Sequence, residues 1–220
     1  MLRISLFGIR TEIHFSFFLL AFLLVCTGNG GVFLLGSVLS SFGHELVHGL
    51  AAKAMGLRPA RITAGLFGGV LHMDEGDIPP LKEIFLHLSG PLFNLLLVLL
   101  FYGLWSLFGQ SFWAELLLGN LILGCFNLMP FYPLDGGKIV NLYLSWFFGY
   151  SAADKLSQIF SLFFSLSIFL LGIYLVQYNV MNLLISGLAL NLYVAAREDR
   201  RFRYDRLRHI YKEIEGNYCK

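Results

Sequence analysis

The sequence predicts an all-α polytopic membrane protein with about six transmembrane helices and a short β-hairpin or re-entrant loop after the second helix. The composition, the spacing of the apolar runs and the placement of the basic residues support this prediction. Of the 220 residues, 57% are hydrophobic and 14% are charged, and the mean hydropathy is +0.69. Soluble domains are about 45–50% apolar and about 25% charged, so this composition indicates an integral membrane protein. The net charge of +2 gives no sign of a nucleic-acid partner.

The first half of the chain predicts two spans and a hairpin, joined by turns rich in glycine and proline. The first apolar run is short and reaches spanning length only if the residues before it contribute. β-Branched residues around Gly68 and Gly69 predict the hairpin or re-entrant loop. In chain order, the predicted elements are an amphipathic segment at Met1–Glu12, a first span at His14–Cys26 extended by Leu6–Ile13, a second span at Val32–Met55 and the hairpin at Arg61–Met73.

The second half predicts four further spans and a charged tail. Pro91 lies inside the first of these spans, where a helix is kinked unless neighbours satisfy the freed carbonyl. The predicted elements are a third span at Leu81–Phe108, a fourth at Phe112–Met129, an apolar helix at Lys138–Tyr150, a fifth span at Leu156–Val176 and a sixth at Val180–Ala196. We therefore expect a transmembrane domain over residues 1–196 and a basic cytoplasmic tail over residues 197–220.

The distribution of basic residues predicts which side of the membrane each turn faces. If the N-terminus is cytoplasmic, all 16 Lys and Arg residues fall on the cytoplasmic side of the predicted spans. The turns on the opposite side, residues 27–31, 109–111 and 177–179, contain no Lys or Arg. This asymmetry is the positive-inside pattern of membrane proteins. We expect a multi-pass protein with cytoplasmic N- and C-termini.

The second predicted span contains His44-Glu45-Leu46-Val47-His48, an H-E-x-x-H motif. On an α-helix, residues four apart lie on one face, so His44 and His48 can bind one ion. Two imidazoles and one further ligand suit zinc with an open position for water, and Glu45 can accept a proton from that water. Ionisable residues inside a span are costly and indicate a functional site. The alternative is a polar cluster that hydrogen-bonds to neighbouring helices.

A candidate for the third ligand lies in a broken segment near the end of the fourth span. Residues Asn127–Gly137 contain two prolines and two glycines, so they cannot form a regular helix. Asp135 is the leading candidate, because Gly136 and Gly137 allow the backbone to approach closely. The residues alone leave a second interpretation open, in which Asp135 caps a helix that begins at Lys138.

The two motifs together resemble the site-2 protease family of intramembrane zinc metalloproteases. The resemblance rests on His44-Glu45-Leu46-Val47-His48 paired with Asn127-x-x-Pro130-x-x-Pro133-Leu134-Asp135-Gly136-Gly137. It covers most of the chain, because Leu66-Phe67-Gly68-Gly69 and Ser89-Gly90-Pro91 also fall where that family has similar elements. The compact layout is most similar to the sporulation branch, the stage IV sporulation protein FB type, which processes the membrane-tethered precursor of sigma-K.

The resemblance implies one zinc ion per chain, with His44, His48 and Asp135 as its ligands. Glu45 would be the general base that activates the bound water and then passes the proton to the leaving amine. Zinc lowers the pKa of bound water to about 7 and polarises the scissile carbonyl. Asn127 would position the substrate or stabilise the oxyanion. The implied function is an intramembrane zinc endopeptidase that cleaves a membrane-associated protein, a sigma-K-type precursor in sporulation.

A transmembrane substrate must unwind locally before its peptide carbonyls are accessible, and an extended peptide can then pair with a strand edge. The predicted hairpin, with Gly68 and Gly69 near its tip, offers such an edge. Pro133, within the proline-rich stretch Phe131–Leu134, offers a second contact. A plain connector is the alternative interpretation of the hairpin.

The expected partners are a membrane-tethered protein substrate and, from the sporulation branch, membrane inhibitor or regulator proteins. No nucleic-acid partner is expected. We expect neither a PDZ insertion nor the CBS domain that the sporulation branch often carries. The alternative function, from another class, is a non-proteolytic membrane transporter or ion-binding protein with a buried polar cluster.

Overall fold

The structure is a computed structural model that describes residues 1–15, 31–65, 68–73, 78–178, 182–183 and 185–197. The chain divides into two compact units, and the division falls between Leu128 and Met129. Most of the first predicted span, and the charged tail from residue 198, lie outside the described residues. The predicted domain boundary after residue 196 stays a prediction.

The first unit contains a four-stranded sheet in the order β1-β2-β3-β4. β1 pairs with β2 and β3 pairs with β4 in antiparallel fashion, whereas β2 and β3 are parallel. The predicted hairpin is therefore present as the β3–β4 pair. The strands are β1 (Leu2–Leu6), β2 (Ile9–Ile13), β3 (Pro59–Gly65) and β4 (Gly68–Met73).

The N-terminal segment is a β-hairpin, so the prediction that Leu6–Ile13 extends the first span is wrong. In β2, Ile9 and Thr11 are buried while Arg10 is exposed, which is the two-residue period of a strand. The turn at Phe7 and Gly8 has positive φ at both residues, 51° and 77°, as tight two-residue hairpins require. The all-α prediction therefore needs correction, because a small sheet accompanies the helices.

One face of the sheet packs on helix α1 (Gly31–Ala54), which carries the H-E-x-x-H motif. Ile9 of β2 and Ile62 of β3 are almost completely buried. A Cβ atom added at Gly49 would lie 2.8 Å from Ile9 Cδ1 and 3.4 Å from Ile62 Cδ1. The lack of a side chain at Gly49 thus lets the sheet lie directly against the turn of helix that follows His48.

Two further described helices belong to the first unit, α2 (Pro80–Phe108) and α3 (Ser111–Asn127). α1 approaches both closely at glycines, since a Cβ at Gly43 would lie 2.9 Å from a ring carbon of Phe93, and one at Gly119 would lie 2.6 Å from Ser37 Oγ. Small residues at such crossings are typical of packed membrane helices. The close packing brings the polar residues of α2 within reach of the motif on α1.

The second unit contains α4 (Asp135–Phe148), α5 (Tyr150–Leu175) and helical residues 185–197, here called α6. Ser157 and Ser161 of α5 are buried and serve as polar contacts. Asn141 of α4 donates to Ser157 Oγ at 3.0 Å, and the Tyr132 backbone N–H donates to Ser161 Oγ at 2.8 Å. Both α4 and the loop before it are therefore hydrogen-bonded to α5.

Two of the described helices are long and apolar enough to cross a membrane, α2 and α5. They correspond to the predicted third and fifth spans, although α5 begins earlier than predicted, at Tyr150. α3 is apolar but shorter, at 17 residues. The complete six-span arrangement stays a prediction.

Candidate metal centre

α1 places His44 and His48 one helical turn apart, and both side chains are buried. Their rings lie at 89° to each other with centroids 4.6 Å apart. The two Nε2 atoms are 3.1 Å apart. Two nitrogen ligands of a tetrahedral zinc ion, each bonded at about 2.0–2.1 Å, are separated by about 3.3 Å. The separation of the two Nε2 atoms in the structure is therefore close to that of a pair of zinc ligands.

The hydrogen bond at His48 Nδ1 determines which nitrogen of that ring carries the proton. His48 Nδ1 lies 2.6 Å from the carbonyl oxygen of Leu86 on α2. A carbonyl can only accept, so Nδ1 carries the hydrogen and Nε2 keeps its lone pair. Ser89 Oγ donates to the same carbonyl at 2.7 Å and lies 3.0 Å from His48 Nδ1.

His44 is held in the same manner by a side chain of α2. Its Nδ1 lies 2.6 Å from Asn94 Oδ1, and both residues are buried. Histidines that bind metals almost always donate their second ring N–H to a carboxylate, a carbonyl or water. The amide oxygen of Asn94 accepts from His44, and the backbone carbonyl of Leu86 accepts from His48. The donor set and its hydrogen bonds fit a metal ion bound through the two Nε2 atoms.

Gly90 of α2 lies directly beneath the two imidazoles. A Cβ atom added at this residue would lie 2.5 Å from His44 Nε2 and 2.5 Å from His48 Nε2. Such a methyl group would also lie 2.6 Å from His44 Cε1, so it would collide with both rings. Glycine at this residue therefore lets α2 pack directly against the two imidazoles.

Glu45 contacts the outer edge of β4. Its Oε2 atom accepts a hydrogen bond from the Leu71 backbone N–H at 3.0 Å. A Cβ atom at Gly69 would lie 2.7 Å from Glu45 Cγ, so the strand passes very close to this side chain. Because the Leu71 N–H points to Glu45, it takes no part in the ladder with β3. The edge of β4 that is not paired with β3 thus faces the candidate base.

His72, also on β4, is bonded within the sheet. Its Nε2 lies 3.0 Å from Thr63 Oγ1. Burial, followed by the nearby positive charge of Arg61, lowers the pKa of His72, while Glu12 acts in the opposite direction. His72 is therefore held as a neutral ring by the sheet.

Asp135 is the first residue of α4, in the second unit, and it is buried. The N-cap of α4 is Leu134, whose side chain makes no capping hydrogen bond. The helix thus begins three residues before Lys138, so the cap interpretation of Asp135 is wrong. Gly137 allows the preceding loop to fold onto this first turn, because its Cβ would collide with the backbone of Phe131 and lie 2.6 Å from Tyr132 N.

His44 and His48 lie in the first unit, and Asp135 lies in the second. All three side chains are buried. Two of them come from the predicted motif on α1, and the third is the predicted ligand of the broken segment.

The four remaining predicted residues lie at the ends of elements. Asn127 is half-buried and is the last residue of α3. Gly68 and Gly69 begin β4. Pro133 follows a cis peptide bond in the loop before α4. Their contacts with substrate stay predictions.

Sequence reasoning assigned no role to Asn94 and Asn120, two completely buried amides on α2 and α3. A signal was available, because each amide lies between apolar residues inside a predicted span, and polar residues in such spans are rare and need partners. The partner of each amide could not be identified from the sequence, because it depends on how three helices pack.

The comparison with protein families finds one match, Peptidase family M50, over residues 32–111 and 105–172. Together these segments include the motif on α1, Asn94 and Asp135.

Similar proteins are known from archaea and bacteria. The chain is 32% identical to "Zinc metalloprotease MJ0392" of Methanocaldococcus jannaschii over 96% of this chain and 63% of that protein. It is 30% identical to "Stage IV sporulation protein FB" of Bacillus subtilis over 96% of this chain and 73% of that protein. A solved structure, "Site-2 Protease from Methanocaldococcus jannaschii", matches with a TM-score of 0.69 and 29% identity, covering 90% of this chain and 94% of that one.

Proposed function

The chain belongs to peptidase family M50, which includes zinc metalloproteases of the site-2 type, and we propose that it is an intramembrane endopeptidase that cleaves a membrane-associated protein. The observation that best supports this activity is that the Nε2 atoms of His44 and His48 lie 3.1 Å apart. In each ring, a hydrogen bond at Nδ1 fixes the orientation of the imidazole. A structural polar cluster has no need for two lone pairs that face each other.

We propose His44, His48 and Asp135 as the protein ligands of zinc. Two histidines and one carboxylate are a ligand set of catalytic zinc sites that keep a fourth position open. When bound, zinc supplies a Lewis acid that polarises the scissile carbonyl and acidifies a coordinated water.

Glu45 is the proposed general base and acid. Its carboxylate removes a proton from the attacking water and delivers a proton to the nitrogen of the leaving amine. The hydrogen bond from the Leu71 N–H orients Oε2 of the carboxylate. Removal of the charge should therefore stop cleavage without removing a metal ligand.

The proposed substrate is an unwound segment of a membrane-associated protein that pairs with the outer edge of β4. Because side chains and amides alternate along a strand, Gly69 and Leu71 present their N–H groups on the same edge. Gly68 and Gly69, at the start of β4, are proposed substrate contacts, and the lack of a Cβ at Gly69 lets the strand lie directly against Glu45. A substrate strand at this edge runs next to Glu45, which places its peptide bonds beside the proposed base. Asn127 and Pro133 are the proposed additional substrate contacts.

The finer assignment is a sigma-K-type precursor as substrate, and it rests on the similarity to the sporulation protein. A multi-pass arrangement with cytoplasmic termini agrees with the charge asymmetry of the sequence and with the two apolar helices long enough to cross a membrane. Membrane inhibitor or regulator proteins are the proposed partners.

Two matched variants test the metal and base assignments. Glu45→Gln removes the base but keeps the shape of the side chain, so we expect about one zinc per chain and no cleavage of a co-expressed membrane-tethered precursor. Asp135→Asn removes a ligand charge, so we expect zinc affinity and cleavage to fall together. Zinc content is measured on the purified protein, and cleavage is measured by the size of the precursor.

The outcomes separate the two functional classes. Cleavage that persists in Glu45→Gln contradicts the proposed role of Glu45. Full zinc occupancy in Asp135→Asn would show that the third ligand is a residue other than Asp135. Zinc binding without cleavage of any membrane-tethered precursor, together with zinc transport into vesicles, would favour the transporter alternative.

A further inference from the structure

Two buried amide side chains connect His44 to the backbone of α3. Asn120 Nδ2 donates to the Leu116 carbonyl at 2.9 Å, and Asn94 Nδ2 donates to Asn120 Oδ1 at 3.0 Å. Asn94 Oδ1 in turn lies 2.6 Å from His44 Nδ1. Asn94 and Asn120 are both 0% exposed. The chain of contacts is thus shielded from water, which could otherwise satisfy either orientation of each amide.

The end of this chain fixes the direction of every hydrogen bond in it. The Leu116 carbonyl can only accept, so Asn120 must turn its NH₂ group to α3 and its oxygen to Asn94. Asn94 must then turn its NH₂ group to Asn120 and its oxygen to His44. An amide oxygen also only accepts, so the hydrogen in the last contact belongs to His44 Nδ1. Each amide has one orientation in which both of its buried hydrogen bonds are satisfied.

We propose that Asn120 and Asn94 are positioning residues that hold His44 in the tautomer with hydrogen on Nδ1 and a lone pair on Nε2. The inference rests on the proposed role of His44 as a metal ligand. It assigns a metal-site role to residues on two other helices. His48 needs no such relay, because a backbone carbonyl, Leu86, fixes its tautomer directly.

The relay matters because the other tautomer of His44 would close the site. With hydrogen on His44 Nε2, that group would donate to His48 Nε2 only 3.1 Å away. The two histidines would then satisfy each other and offer no pair of lone pairs to a metal ion. The relay disfavours this arrangement, because the closed tautomer leaves Asn94 Oδ1 without a hydrogen to accept and costs a buried hydrogen bond.

Zinc affinity in a double-mutant cycle tests the proposal. Asn120→Leu removes the anchor, so the Asn94 amide can flip, and we expect zinc to bind about 10- to 100-fold more weakly, as for loss of other metal-site hydrogen-bond partners. Asn94→Asp presents an acceptor to His44 in either orientation, but its second oxygen then meets Asn120 Oδ1 with no hydrogen between them, so the readout is the effect of Asn120→Leu within this background. In the Asn94→Asp background, Asn120→Leu removes that contact and should not weaken zinc binding further. Affinity is measured by competition with a fluorescent zinc chelator.

A purely structural role for Asn120 predicts a different result. If Asn120 acts only through packing, Asn120→Leu weakens zinc binding equally in both backgrounds, and that outcome overturns the proposal. Elution in detergent and the thermal unfolding midpoint of the metal-free variants show which of them are folded. Asn120→Ala is the second variant if Asn120→Leu does not fold. It also removes the acceptor of Asn94 Nδ2, so it should lower zinc affinity in the original background only.

Nitrogen NMR of the metal-free protein tests the tautomer without any zinc or activity. In ¹⁵N-histidine-labelled protein, we expect the Nε2 atoms of His44 and His48 both to show the shift of an unprotonated ring nitrogen. Asn120→Leu should move His44 towards the opposite tautomer and leave His48 unchanged, which makes His48 an internal control. If His44 carries its hydrogen on Nε2 in the unchanged protein, the relay is wrong even if zinc and cleavage behave as proposed.

Discussion

At residue 90, the absence of a side chain allows α2 to pass beneath both imidazoles of the candidate metal centre. Glycine in the interior of a helix costs about 1 kcal/mol relative to alanine, so a helix of this length gains from replacing it. The two Nε2 atoms at 2.5 Å from the virtual Cβ explain why the replacement is unfavourable here. The packing of α2 against the two imidazoles thus outweighs helix propensity at this residue.

Gly90→Ala should weaken zinc binding although it favours the helix. A methyl group forced into a packed site costs about 1–3 kcal/mol, which corresponds to about 5- to 150-fold in zinc affinity. Gly103→Ala is the matched control on the same helix, because a Cβ at Gly103 meets no atom within 4 Å. Chelator competition on both variants measures the difference. Equal zinc affinity in the two variants would show that the space beneath the imidazoles is not the metal position.

The residue scale also shows which side chains a local pattern can identify. The spacing of His44 and His48 follows from the period of one helix, so the sequence predicted their common face. Asn94 reaches His44 from a different helix, 50 residues later in the chain, and no local period relates the two. The pairing of Asn94 with Asn120 likewise depends on the crossing of α2 and α3.

At the scale of elements, β4 connects the sheet to the proposed chemistry. Its inner edge pairs with β3, and its outer edge faces Glu45. The sheet is held against α1 by buried Ile9 and Ile62, so β4 is a positioned element. An unpaired edge of this kind is a ready template for another strand.

Leu71→Pro tests the hydrogen bond between this edge and Glu45. Proline removes the N–H that faces Glu45 but no hydrogen bond of the ladder with β3, so we expect the sheet to persist. Without this donor, Glu45 Oε2 loses its contact with β4, so kcat/KM should fall on the order of tenfold, with zinc content unchanged. Leu71→Ala is the control, because it shortens the side chain and keeps the N–H. A Leu71→Pro variant that cleaves as well as Leu71→Ala would show that this hydrogen bond does not orient the proposed base.

The N-terminal hairpin shows where element prediction failed. Residues 6–13 were expected to extend a short span, but they form part of β1 and β2. The β1–β2 hairpin is local, so its two-residue period around the turn at Phe7 and Gly8 was available in the sequence. The parallel pairing of β2 with β3 joins Arg10 to Arg61 across the whole of α1 and leaves no trace in the local period.

At the scale of the whole molecule, the charge asymmetry and the length of α2 predict that the two ends of this helix lie on opposite sides of the membrane. A helix of 29 residues extends about 43 Å, more than the roughly 30 Å of a bilayer core. The positive-inside rule puts the N-terminal end of α2, with Lys82, in the cytoplasm. The turn at Gln110 would then face the other side.

Single-cysteine labelling checks this orientation in intact membranes. With Cys26, Cys125 and Cys219 replaced by serine, Gln110→Cys should react with a membrane-impermeant maleimide from outside the cell. Lys82→Cys should react only after the membrane is opened, and it is the matched control on the same helix. Reaction of both residues from the same side would contradict the proposed topology.

The sequence by itself determined the chemistry of this protein and most of its helices. Metal ligands at a helical spacing, apolar runs and a one-sided charge distribution are local or additive properties, so they can be read along the chain. The tertiary structure alone decided the four-stranded sheet, the space at Gly90, the partner of Glu45 and the amide chain behind His44. Each depends on contacts between segments far apart in sequence, where packing selects one geometry among many that the same local patterns allow.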